Sequence, residues 1–231
     1  MLFYNDGGMW IFAIIAAIWA SIASARVNST FKKFSTMTTR GGLTGRRCAE
    51  AVLRSAGIFD VRVERVSGSL TDHFDPKAKV IRLSDAVYDS TSVAAVGVAA
   101  HEAGHAVQHN VGYFPIRVRM AIIPVCQIGS NLAMPLIILG MIATIPMLSS
   151  IGLIFFALSA LFQLVTLPVE FNASGRALDY LESEAGLSGE EMKGAKKVLS
   201  AAAMTYVAAL AVAIVNVLRL VMIVNNSRRR N

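Results

Sequence analysis

The amino-acid sequence predicts a mostly α-helical membrane protein, with about four transmembrane helices carrying a small α+β subdomain. Three observations predict it. Hydrophobic residues make up 55% of the chain and charged residues only 16%, and mean hydropathy is +0.55, outside the range of an ordinary soluble domain. The apolar residues are gathered into long runs without any charge. Between the first two runs lies a polar segment whose patterning is amphipathic, then alternating, then helical and rich in histidine.

Each membrane element follows from a run. No charged residue occurs from Gly8 to Ala25, from Met120 to Val169, or from Val198 to Leu218, and the middle run is broken near Pro146-Met147-Leu148-Ser149-Ser150. A spanning helix needs about 20 apolar residues. The runs therefore predict helices at 8–25, 121–147, 151–169 and 198–220, the middle pair forming a tight hairpin. Ala23-Ser24-Ala25 resembles a signal-peptidase site, but the preceding segment carries Asp6 and no Lys or Arg, so the first run reads as a retained anchor.

The polar segment supplies the subdomain. Ala49, Val52, Leu53 and Ala56 recur at helical spacing and Gly57 offers a stop, which predicts an amphipathic helix over 44–56. Phe59 to Val66 alternates, with Val61 and Val63 on one face and Arg62 and Glu64 on the other. Ala78 to Leu83 is a second short strand, and Asp72-His73-Phe74-Asp75-Pro76 between them reads as a turn. A helix from about Ser92 to Asn110 closes the segment. The expected division is 1–25 as anchor, 26–120 as the catalytic subdomain, 121–169 as the hairpin, 170–197 as a further helical segment, and 198–231 as the last helix with a basic tail.

The formal charge of +7 does not point to nucleic acid. Much of the excess lies beside membrane ends: Arg26, Lys32, Lys33, Arg40, Arg46 and Arg47 after the first helix, then Arg117 and Arg119 before the second. The positive-inside rule places 26–120 in the cytoplasm and the N-terminus outside. Lys193, Lys196 and Lys197 hold one end of the last helix inside, whereas Arg228, Arg229 and Arg230 crowd its other end, so the rule does not decide that crossing. Two cysteines, Cys48 and Cys126, make no disulfide framework and read as small apolar residues.

The chemistry is concentrated in His101-Glu102-Ala103-Gly104-His105. Positions four apart share a helix face, so both imidazoles can reach one zinc ion, and Glu102 lies beside them where it can take a proton from water. Three of the four histidines, His101, His105 and His109, fall within nine residues. The small apolar stretch 92–100 leads in as a buried helix would.

A catalytic zinc site needs a third protein ligand. His109 is nearest in sequence but lies a further turn along, and the extended H-E-x-x-H-x-x-G-x-x-H pattern would demand Gly and His where the chain has Gln108 and Val111. His109 therefore reads as a helix-end or supporting residue. Glu170 is the other possibility. It ends a charge-free stretch after Pro168-Val169, opens the helical pattern Ala177, Leu178, Leu181, Ala185, and carries a charge that is costly at a membrane boundary unless it is paired or metal-bound. The plainer alternative is a glutamate favoured by the dipole of a helix N-terminus. His73 and Arg176 are candidates for stabilising an oxyanion, against plainer readings as a turn histidine and a solvated arginine. The strand near 78–83 could hold a substrate backbone by strand addition.

Leu70-Thr71-Asp72-His73-Phe74-Asp75-Pro76, Ala99-Ala100-His101-Glu102-Ala103-Gly104-His105-Ala106-Val107-Gln108-His109 and Leu167-Pro168-Val169-Glu170-Phe171 together resemble the YugP-like bacterial membrane zinc metallopeptidases, distant relatives of the HtpX and CAAX-prenyl endopeptidases. The resemblance runs from about Thr38 to Leu181. It implies a zincin-like subdomain of gluzincin type, Zn2+ held by His101, His105 and Glu170, Glu102 as catalytic base, protein or peptide substrates, and a place in the bacterial inner membrane; the charge clustering above puts the active site at the cytoplasmic face. The chain departs from the pattern twice. HtpX-like enzymes carry an Asp four residues after the ligand Glu, supporting a ligand histidine, where this chain has Ser174; the YugP-like pattern has Asp where this chain has Asn172. The expected reaction is zinc-assisted peptide hydrolysis with Glu102 moving the proton. A site-2-type intramembrane protease is disfavoured, because the apolar run before His101 is short and no Leu-Asp-Gly motif follows. A non-proteolytic scaffold with a structural zinc site is disfavoured because it would have no need of Glu102.

Overall fold

The computed structural model describes residues 7–228 and contains six helices and three strands in the order α1 (Gly7–Phe34), α2 (Gly45–Ser55), β1 (Arg62–Val66), β2 (His73–Asp75), β3 (Val80–Ser84), α3 (Val93–Asn110), α4 (Phe114–Ile142), α5 (Pro146–Ser183) and α6 (Gly189–Arg228). Asp6, Arg229 and Arg230, used above in reading the chain ends, lie outside the described residues. Among the described residues four helices are long and apolar enough to cross a membrane: Met9–Phe34, Phe114–Ile142, Pro146–Ser183 and Gly189–Asn226.

The chain divides into two compact units. One comprises the chain up to Ala23, Val118–Leu167 and the chain from Thr205; the other comprises Ser24–Arg117 and Pro168–Met204. In the first unit large apolar side chains such as Ile14, Ile128, Ile138, Ile154 and Leu218 are exposed, as a lipid-facing surface requires. Its interior holds a cluster of Ile137, Leu220 and Val224, and small residues bring helices close at particular points. A Cβ on Gly152 would stand 2.7 Å from the Ala133 carbonyl oxygen, so α4 and α5 approach more closely there than any side chain would allow.

The second unit is built around α3. Its N-terminus is capped by Ser92, whose hydroxyl accepts from the Ala95 amide. The small residues Ala94, Ala95, Ala99, Ala100 and Ala103 are fully buried, which lets other elements close on α3 from several sides. α2 begins in the same way, with the Thr44 side chain accepting from the Arg47 amide, and packs Cys48, Ala49, Val52 and Leu53 into the common core. Ile81 and Leu83 from β3, Ala177 and Leu181 from α5, and Ala195 and Leu199 from α6 complete it. Burial pushes the Cys48 thiol up to about 12, and both Cys48 and Cys126 are free and buried, in keeping with apolar rather than disulfide roles.

The sheet has three strands, one more than expected. Its order is β1-β3-β2, with β1 parallel and β2 antiparallel to β3. The expected turn at 72–76 is displaced. His73–Asp75 extends and pairs with Val80–Arg82, and the reversal falls after Asp75, whose carboxylate accepts from the amides of Lys77 and Ala78. β3, which was expected to offer a substrate a free edge, is paired on both sides, so the open edges are β1 and β2.

The helices also outrun their charge-free stretches. α5 continues without interruption through Pro168, so Glu170 lies well inside a 38-residue helix and does not open one. That removes the helix-dipole explanation for this residue. Residues 170–197 comprise the end of α5 and the start of α6.

Candidate metal centre

His101 and His105 project from one face of α3, as the i, i+4 spacing requires, and their rings meet edge to face with centroids 4.7 Å apart. Facing them is the C-terminal part of α5. A Cβ on Gly104, between the two histidines, would stand 2.8 Å from the Ala173 carbonyl oxygen. Glycine at this position is what lets the two helix backbones come together, and Glu170, nearly one turn before Ala173, then reaches the imidazoles. Its Oε2 lies 3.3 Å from His101 Nε2 and 3.6 Å from His105 Nε2. Glu170 is 2% exposed and His105 8% exposed.

The three donor groups fit a zinc ion. One ligand atom from each of His101, His105 and Glu170 lies within 4.8 Å of the others, and among the described residues no other group of His, Cys, Asp or Glu does so. Tetrahedral donors about 2.0–2.1 Å from zinc stand roughly 3.3–3.4 Å from one another, close to the two His–Glu separations. Two imidazoles and one carboxylate leave a fourth position open. Burial works against a charged His105, but hydrogen bonding to Glu170, the charges of Glu102 and Glu170, and the bond to Gln108 outweigh it and raise its pKa above the ordinary value. The same negative well that draws a proton here would draw a metal cation.

Each histidine is held from behind. Ser174 Oγ lies 3.1 Å from His101 Nδ1, in the place where the HtpX-like pattern has an Asp. Gln108 Oε1 lies 3.0 Å from His105 Nδ1, and Gln108 Nε2 donates to the Val169 carbonyl at 2.8 Å and to Asn172 Oδ1 at 3.0 Å. Gln108 is fully buried, although in the sequence it marks only a departure from the extended histidine pattern. Its signal was a polar residue three positions after His105, on the apolar side of a buried helix.

Glu102 is half-buried on α3, and its charge acts on both His105 and Asp72. Burial raises the pKa of Asp72, whose carboxylate accepts from the Ser84 amide at 2.7 Å and hydroxyl at 3.1 Å. The remaining sequence candidates make contacts other than with the three clustered donors. His73 lies on β2, with Nδ1 2.8 Å from the Thr71 carbonyl and Nε2 3.4 Å from Arg82. His109 stands at the end of α3 with its ring against Phe74, centroids 6.0 Å apart, and is not one of the three clustered donors. Arg176 directs its Nε to Asn172 Oδ1 at 2.9 Å.

Comparison with known proteins also points to zinc. Residues 9–225 match the family described as "Putative neutral zinc metallopeptidase", and the chain belongs to that family. It is 45% identical over 224 residues to the "Putative membrane protease YugP" of Bacillus subtilis (strain 168), an alignment covering 96% of this chain and all of that one. No solved structure matches it.

Replacement of Glu170 by Ala is expected to abolish stoichiometric zinc binding, measured as metal per chain after purification, whereas His109→Ala is expected to retain it. Gly104→Ala, which forces α3 and α5 apart without touching a donor atom, is expected to weaken zinc binding as well. Zinc retained in Glu170→Ala but lost in His109→Ala would overturn this arrangement.

Proposed function

We propose that the protein is a membrane-bound, zinc-dependent endopeptidase of gluzincin type, acting on membrane-proximal or misfolded protein substrates. The observation that carries this reading is a buried pair of histidines facing a buried glutamate, with a second glutamate between the histidines in sequence, in a chain of this family. In this reading His101, His105 and Glu170 hold zinc and Glu102 is the general base. When bound, zinc acidifies water and polarises the scissile carbonyl.

The protein's own groups do the rest. Glu102 receives a proton from the attacking water on a carboxylate oxygen and delivers it to the leaving amine nitrogen, so one group serves first as base and then as acid. Its half-burial on the helix that carries both histidines keeps it near the reacting water while leaving it access to substrate. Ser174 and Gln108 hold the rings of His101 and His105 so that both Nε2 atoms face Glu170. A structural zinc site would have no use for Glu102. A site-2-type protease would need the metal helix to span the membrane, and α3 is not among the four helices apolar enough to do so.

The active site is assigned to the cytoplasmic face of a bacterial inner membrane. Lys32 and Lys33 end α1, and Arg117 and Arg119 stand at the start of α4, which supports that side by the positive-inside rule. One ion bound by both His105 and Glu170 requires an even number of crossings between them, and α4 with the first part of α5 supplies two.

Glu102→Gln is expected to keep the fold and the zinc while casein or peptide hydrolysis falls about 10²–10⁴-fold, since the amide is nearly isosteric but accepts no proton. Cleavage at the wild-type rate would remove Glu102 from its role. For sidedness, a cysteine replacing the exposed Ser67 is expected to resist a membrane-impermeant maleimide in intact cells and to react after lysis, the buried Cys48 and Cys126 adding little background. Labelling in intact cells would put the catalytic unit outside.

A further inference from the structure

We propose that Gln108, Asn172 and Arg176 form a positioning chain that dictates which nitrogen of His105 is presented to the metal. This inference rests on the zinc reading above and assigns these residues a task within it. The reasoning begins from a backbone carbonyl. The Val169 oxygen can only accept a hydrogen bond, so the Gln108 atom 2.8 Å away must be the amide nitrogen. The other end of the amide is therefore the oxygen, and it is this oxygen that lies 3.0 Å from His105 Nδ1.

A carboxamide oxygen only accepts, so His105 Nδ1 must carry a proton. Neutral imidazole has a single N–H. With that proton on Nδ1, the lone pair is left on Nε2, the atom 3.6 Å from Glu170 Oε2. The tautomer needed for metal binding is thus written into the orientation of one buried amide.

Asn172 and Arg176 secure that orientation. The second N–H of Gln108 needs its own acceptor, and Asn172 Oδ1 provides it at 3.0 Å. Asn172 could rotate to offer its nitrogen instead, but its oxygen also accepts from Arg176 Nε at 2.9 Å, and a guanidinium only donates. Each link rejects the flipped form of the one before it. An Arg176 flip is excluded in turn, because guanidinium has no acceptor at either end. His101 has no comparable device. Ser174 Oγ can donate or accept, so it supports that ring without dictating its tautomer.

Outer partners of metal-bound histidines typically contribute about 10–100-fold in metal affinity. The test compares zinc affinity, measured by competition with a chromophoric chelator, and thermal stability of the metal-free protein, for the wild type and three variants. Gln108→Leu removes the acceptor for His105. Asn172→Leu leaves Gln108 and its Val169 bond in place but removes the second acceptor. Asn172→Asp keeps an oxygen for both Gln108 and Arg176. Zinc affinity is expected to fall about 10–100-fold in Gln108→Leu, to fall by a smaller factor in Asn172→Leu, and to stay within a few-fold of wild type in Asn172→Asp. Lower thermal stability with unchanged zinc affinity in both leucine variants would overturn the proposal and reduce the chain to a packing element. Should Gln108→Leu not fold, equal zinc affinity of Asn172→Leu and wild type would overturn it equally. A wild-type protein that binds no zinc would refute the zinc reading itself, an outcome distinct from either.

Discussion

A carboxylate buried in an apolar helix must be compensated, and the organisation of the second unit depends on how Glu170 meets that demand. Left without partners at 2% exposure, its charge would cost at least several kcal/mol, or it would take up a proton. Two imidazoles stand within 3.6 Å of one of its oxygens. The same carboxylate, with Glu102, favours the charged form of His105 against the effect of burial and raises its pKa. A divalent cation held by the three groups would satisfy all of them together.

That compensation is possible only because two helix backbones come close. α3 is mostly alanine and glycine on its buried faces, and at Gly104 the α5 backbone passes where a Cβ would stand. A side chain there would push the helix that carries the histidines away from the one that carries the glutamate. The continuity of α5 matters for the same reason. One helix carries Glu170, the Asn172 that anchors Gln108, and the Ser174 that supports His101, so their spacing is set by helical geometry and not by a loop.

Much of this was legible in the chain. The two histidines are marked by their spacing, the four long helices by their charge-free runs, and Glu170 by being a charge where an apolar run ends. What escaped has physical causes. Gln108 interrupts the apolar side of α3 but carries no charge, and its importance lies in which atom faces which, a matter of tertiary contact. The role of Gly104 depends on a neighbour 69 residues away. Asp72, Asp75 and Pro76 in Asp72-His73-Phe74-Asp75-Pro76 favour a turn, but pairing with β3 overrides that local preference and the reversal falls at Pro76–Lys79. The start of a helix at Glu170 was inferred from Pro168, yet α5 passes through that proline.

X-ray absorption at the zinc edge of the purified, zinc-loaded protein tests the central claim most directly, because it reports the ligands themselves. The account requires a four-coordinate ion with two imidazole nitrogens and oxygen donors at about 2.0–2.2 Å, and no sulfur. A scatterer at about 2.3 Å characteristic of cysteine sulfur, or a shell containing fewer than two imidazoles, would contradict it.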